Sequence, residues 1–134
     1  MDEMVSFLPA KTGRDLAEAL QRHDALLMFS NFENQPVSVL EALACGLPVI
    51  ATRVGTIPAM LAQNRGITVE PGNESELQEV LAAFITTRNR MTDAQSSDRT
   101  LAHQRHQYVT ERHSPEVIAQ QFDVLYCSAM NQTS

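Results

Sequence analysis

Two glutamates, Glu33 and Glu41, stand eight positions apart in the segment Ser30-Asn31-Phe32-Glu33-Asn34-Gln35-Pro36-Val37-Ser38-Val39-Leu40-Glu41. A carboxylate accepts two hydrogen bonds at once and so suits a pair of hydroxyls. Glu41 lies one turn inside a helix that opens at Pro36 or Val37, where it can take a ribose diol. Glu33 lies in the loop ahead of that helix, where it can take hydroxyls of a sugar across a diphosphate. The free N–H groups of the first turn, roughly Val37 to Val39, can hold the diphosphate without lysine or arginine.

Taken alone, the spacing describes two solvated surface acids, because glutamate is mostly an exposed residue. The neighbours of Glu41 alter that reading. Val39, Leu40, Ala42, Leu43 and Ala44 make the helix apolar on most sides. A carboxylate there is costly unless it has a partner. That partner is a ligand, a backbone N–H or an arginine.

Other residues carry weaker chemistry. Cys45 has no histidine or basic residue near it in sequence and reads as structural. His103, His106 and His113 lack an acid or thiol to complete a metal set, so no metal site is expected, and His23 reads as surface. Arg53 follows an apolar run and can reach a phosphate or form a surface salt bridge. Gly46 reads as a helix C-cap, and Gly55 reads equally as a turn or as a point of close ligand approach.

The elements that must position these residues alternate. Strands are expected at Val5–Leu8, Asp24–Ser30, Pro48–Thr52 and Gly66–Val69. Helices are expected at Thr12–Gln21, from Pro36 or Val37 to Cys45, and from Pro58 to about Gln63. A longer one follows from Glu74 to about Arg88, with Leu77, Val80, Leu81 and Phe84 inward and a capping box from Asn73 to Glu76. Met91 to Arg112 reads as a mostly exposed helix. Pro115 to Ser128 reads as a last helix capped by Ser114, burying Val117, Ile118, Phe122 and Leu125, and the end from Met130 should fray. The fold class is therefore α/β, a Rossmann-like parallel sheet of about four strands flanked by helices. It reads as a single domain over 1–134, with a core at about 5–88 and a helical segment at about 90–129. In such open sheets, ligands bind beyond the carboxyl ends of the strands, which is where Glu33 falls.

The bulk composition narrows the partners. A net charge of −6 with Lys11 as the only lysine argues against a broad nucleic-acid or anionic-membrane footprint. No apolar run is long enough to span a bilayer, and the first residues lack a signal-peptide pattern. Two cysteines far apart read as buried thiols of a cytosolic protein, so the expected location is cytoplasmic.

The chain also resembles a known family. Glu33 and Glu41 are followed by Ala44-Cys45-Gly46-Leu47-Pro48-Val49-Ile50-Ala51-Thr52, then by Val54-Gly55-Thr56-Ile57-Pro58-Ala59, then by Gly66-Ile67-Thr68-Val69-Glu70-Pro71-Gly72-Asn73. This combination resembles the C-terminal, donor-binding domain of GT-B glycosyltransferases of the group 1 (family 4) type, over about Val5 to Phe84. The resemblance implies transfer from a nucleotide-sugar with retention of configuration, and no cofactor or required metal. It implies that Glu41 binds the ribose. It further implies that Glu33, the candidate catalytic residue, and the loop and turn Asn34, Gln35, Pro36, Val37, Ser38 and Val39 contact donor sugar and diphosphate.

Several departures bear on that reading. Asn34-Gln35-Pro36 stands where many members have Gly-Phe-Gly, and proline removes one backbone donor. Thr56 stands where a second glycine is common, and Ala59 where an acid is common. The family's acceptor domain and its diphosphate-binding Arg and Lys pair have no counterpart in the chain. The expectation is a truncated donor-binding half, inactive alone. The alternative is a catalytically incompetent binding domain that needs a separate N-terminal acceptor domain or self-association. A third reading, a doubly wound domain without sugar chemistry, predicts no nucleotide binding.

Overall fold

A computed structural model describes residues 5–90 and 95–131. Its elements are α1 (Gly13–Gln21), β1 (Leu26–Met28), α2 (Val37–Ala44), β2 (Val49–Thr52), α3 (Ile57–Leu61), β3 (Gly66–Val69), α4 (Glu74–Arg90), α5 (Gln95–His113) and α6 (Pro115–Asn131). The three strands form one parallel sheet in the order β1-β2-β3, with Leu26 opposite Val49 and Val49 opposite Gly66. Parallel neighbours need a crossover, and α2 and α3 supply the two. The arrangement is α/β and Rossmann-like, as the alternation predicts, with one strand fewer.

The missing strand is Val5–Leu8. It forms no ladder, and Phe7 is 97% exposed. Strand propensity needs an adjacent strand to satisfy its amides, and the described sheet offers this segment none.

The central strand explains the core. All four residues of β2 are buried, and β1 and β3 are partly exposed. Val49 and Ala51 face a cluster with Val39, Ala42 and Leu43 of α2 and with Ile57, Met60 and Leu61 of α3. Successive strand residues alternate faces, so buried Ile50 serves the other side. The end of α2 is fixed by a Schellman motif. Gly46 sits at φ +76°, its N–H donates to the Leu43 carbonyl at 2.9 Å, and the Leu47 N–H donates to the Ala42 carbonyl at 2.9 Å. A side chain at this φ is strained. Space is tight as well, since a Cβ on Gly46 would lie 3.0 Å from that of Ala102 in α5.

Two helix starts follow their sequence signals. The Glu76 N–H donates to the Asn73 side chain at 3.1 Å, and the Glu76 carboxylate accepts from the Glu70 N–H at 2.9 Å, closing α4 onto the turn before it. The Val117 N–H donates to the Ser114 hydroxyl at 3.4 Å at the start of α6. Leu77, Val80, Leu81 and Phe84 are half-buried, as expected.

Helix α6 departs from its pattern. Val117 and Ile118 are half-buried, but Phe122 and Leu125 are exposed, and so is Cys127, a thiol expected to be buried. The helix leans on α5 at its start and runs on to Asn131, three residues beyond Ser128. Its apolar stripe therefore outlasts the surface available to cover it. Helix α5 is mostly exposed, as expected, yet its inner face contains the buried Arg105. Met130 and Asn131, expected to fray, belong to α6, whereas the expected start of α5 at Met91 and the tail from Gln132 lie outside the described residues. Among the described residues, no helix is long and apolar enough to cross a membrane.

Candidate functional site

The loop after β1 is built by a segment 22 residues further on. Thr52, fully buried at the end of β2, accepts a hydrogen bond from the Ser30 N–H at 3.1 Å and donates its hydroxyl to the Ser30 carbonyl at 2.5 Å. The Ser30 hydroxyl in turn donates to Glu33 Oε1 at 2.9 Å. On the far side of Glu33, the Asn34 carbonyl accepts from the Thr56 N–H at 3.0 Å and the Thr56 hydroxyl at 2.7 Å. Gly55 lies directly beneath. A Cβ there would come within 2.1 Å of the Glu33 carbonyl, and the residue's φ is +54°. Gly55 is thus a glycine of close backbone approach, and what it approaches is the Glu33 loop.

Helix α2 begins at Val37, with Pro36 as its N-cap and no side-chain cap. Of the three amides expected to be open, that of Val39 donates to the Pro36 carbonyl at 3.2 Å, which leaves Val37 and Ser38. The Val39 side chain is fully buried in the core, and Val37 is exposed. Asn34 and Gln35 are exposed, and Pro36 is buried. The segment from Glu33 to Ser38 therefore offers backbone N–H groups, one loop carboxylate and two exposed amide side chains at the carboxyl end of the sheet.

Glu41 occupies a different surface. It is half-buried in a groove between α2 and α1 of about 200 Å³, lined also by Gly13, Leu16, Ala17, Leu20, Ala44 and Cys45. Its carboxylate has no hydrogen-bond or ion-pair partner among the described residues. Burial, and then the negative charge of Glu41, push the Cys45 thiol above its ordinary value. A raised thiol is a weak nucleophile, in keeping with a structural Cys45.

Arg53, His106 and His23 have structural partners, whereas the buried Nε2 of His113 has no hydrogen-bond partner among the described residues. Arg53 pairs with Glu70 at 2.7 Å. His106 Nδ1 donates to the Ala44 carbonyl at 2.6 Å, and His23 Nδ1 donates to the Ala19 carbonyl at 2.6 Å. His113 packs edge-on to Tyr108 with ring centroids 5.5 Å apart. Among the described residues, no group of three His, Cys, Asp or Glu side chains could hold a metal.

Sequence reasoning misses Thr52 and Thr56, because their partners are set by the fold. One signal was available: a threonine ending the otherwise apolar run Val49-Ile50-Ala51 needs a partner for its hydroxyl.

Comparison with known proteins extends this picture. The family model described as "Glycosyl transferases group 1" matches residues 1–99. A D-inositol 3-phosphate glycosyltransferase of Saccharomonospora viridis is 33% identical over 76 residues, covering 57% of this chain and 18% of that protein. A protein of the same name from Pseudarthrobacter chlorophenolicus is 34% identical over 85 residues, covering 63% and 20%. An N-acetyl-alpha-D-glucosaminyl L-malate synthase of Bacillus anthracis is 27% identical over 113 residues, covering 84% and 28%. The chain thus spans about a fifth of the first two relatives and less than a third of the other.

Proposed function

This chain belongs to the group 1 glycosyltransferases, and on that premise we propose that the segment from Glu33 to Glu41 is the donor-binding half of a retaining, GT-B-type nucleotide-sugar transferase. The Val37 and Ser38 amides meet the diphosphate at the positive end of α2. Glu41 accepts the ribose hydroxyls. Glu33 accepts hydroxyls of the donor sugar and is the candidate catalytic residue, with Asn34, Gln35 and Pro36 lining the sugar side. This reading calls for no metal, since helix amides supply the positive field. The observation that carries it is Glu41: a half-buried carboxylate in an apolar groove, with no partner among the described residues, is free to accept a ligand's hydroxyls.

A second reading concerns the chain alone: a binding domain, catalytically incompetent until a companion domain brings the acceptor. One observation favours it. Leu27 and Phe29 at β1, and Phe122, Leu125 and Tyr126 on α6, are exposed apolar residues that a companion can cover.

Calorimetric titration with UDP, GDP and ADP and with their sugars, on wild type and Glu41→Ala, tests the donor site. Saturable binding lost in the variant is expected. Binding to none of these ligands sinks the proposal. Sugar transfer or donor hydrolysis by the chain alone sinks the second reading.

A further inference from the structure

We infer that Ser30 is a positioning residue that aims Glu33 at the donor sugar, with Thr52 as its anchor; the inference rests on the donor-site reading above. One atom, Thr52 Oγ1, engages both backbone groups of Ser30, accepting from its N–H at 3.1 Å and donating to its carbonyl at 2.5 Å. A hydroxyl has one proton to donate and two lone pairs, so this hydroxyl spends its only proton on Ser30. Thr52 is fully buried within a fully buried strand, which keeps water from competing for these bonds. The Ser30 side chain thus leaves a fixed backbone. Its hydroxyl donates to Glu33 Oε1 at 2.9 Å.

The loop is pinned on its other side as well. Thr56 holds the Asn34 carbonyl with both its N–H and its hydroxyl, and Gly55 lets the Glu33 carbonyl approach the turn. Between these two anchors Glu33 has little freedom. Oε1 is engaged by Ser30, and Oε2 is left to accept a ligand hydroxyl. Such preorganisation removes an ordering cost that the sugar would otherwise meet on binding. Thr56 thus adds a side-chain bond to the loop at Asn34.

Ser30 touches Glu33 and not the diphosphate-facing amides, so its removal should weaken the sugar and spare the nucleotide. The test compares dissociation constants for UDP with UDP-glucose, GDP with GDP-mannose and ADP with ADP-glucose, on the full chain. The variants are Ser30→Ala, Ser30→Thr and Thr52→Val, each checked for an unchanged melting transition. For the pair that wild type binds, Ser30→Ala should weaken the nucleotide-sugar about five- to tenfold, the loss of one charge-assisted hydrogen bond. The diphosphate should stay within about twofold, and Ser30→Thr should restore the wild-type ratio. Equal weakening of both ligands, or no change in either, overturns the inference and leaves the donor site standing. Wild-type binding to none of the six removes both.

Discussion

The two ends of the sheet use polar side chains in opposite ways. At the carboxyl ends of the strands, Thr52, Ser30 and Thr56 fix a loop and leave acceptors open: the second oxygen of Glu33 there, and the carboxylate of Glu41 in the groove alongside α2. At the amino ends, arginines fix helices with their donors committed to the protein. Arg65 donates to the carbonyls of Met60 at 2.7 Å and Ala59 at 3.1 Å and to Gln63 at 2.8 Å, with its guanidinium 4.0 Å from the centre of the Tyr108 ring. Arg105 donates to the carbonyls of Arg65 at 3.0 Å and Gly46 at 3.1 Å, tying α5 to the segments that precede β3 and β2. Arg88 binds Asp24 and Asp98, joining α4 to the entry of β1 and the start of α5. Burial holds the Arg65 and Arg105 guanidinium groups below their ordinary value, yet arginine remains charged at any physiological pH. Committed donors report architecture, whereas the open acceptors are the groups to which the proposed ligand is assigned.

If this division is right, Arg105→Ala should give the largest loss of stability among four variants. It leaves two backbone carbonyls near the core without their donor, which costs about 3 kcal/mol. Urea unfolding measures this, and nucleotide affinity of the folded fraction should stay within about twofold of wild type. Gly55→Ala should break both halves of the comparison at once. Its Cβ must displace the Glu33 carbonyl, which lies 2.1 Å from the ideal Cβ position, so stability should fall by about 2 kcal/mol. Binding of the nucleotide-sugar should be lost in the same variant, read by calorimetry.

Glu41→Gln should leave the melting transition close to wild type and weaken nucleotides about tenfold, or about 1.4 kcal/mol. The same substitution removes a negative charge that raises the Cys45 thiol, so the thiol should fall toward its ordinary value. More thiolate is then present at a given pH, and alkylation of Cys45 should speed up, with exposed Cys127 as the internal reference. Arg53→Ala should be the mildest. Its pair with Glu70 is about half exposed on both sides, so the expected change is under about 1 kcal/mol and shrinks with added salt. A large loss of nucleotide affinity in Arg53→Ala would move that residue into the site.

How much of this was legible in the sequence depends on the range of each interaction. Gly46, the Asn73–Glu76 capping box and the Ser114 cap are local devices, complete within a few residues, and the structure forms them where their spacing predicts. The turn from β1 through Glu33 into α2 was legible for the same reason. Val5–Leu8 was misread because its propensity is local but a strand is not: it needs a neighbour. Phe122 and Leu125 have helical spacing, yet spacing cannot say where the covering surface ends. The network that holds Glu33 spans 22 residues, and the bond from Arg105 to Arg65 spans 40. Such pairs become visible only once the parallel register brings the ends of β1, β2 and β3 together.

Amide chemical-shift mapping of the isotope-labelled chain, titrated with UDP-glucose, GDP-mannose and ADP-glucose, tests the central claim most directly. Saturable shifts from at least one donor should gather at Glu33, Val37, Ser38, Glu41 and Gly55, with Gly46, Arg65 and Arg105 unmoved. Shifts centred on the arginine end, or no saturable shift with any of the three, would contradict the account.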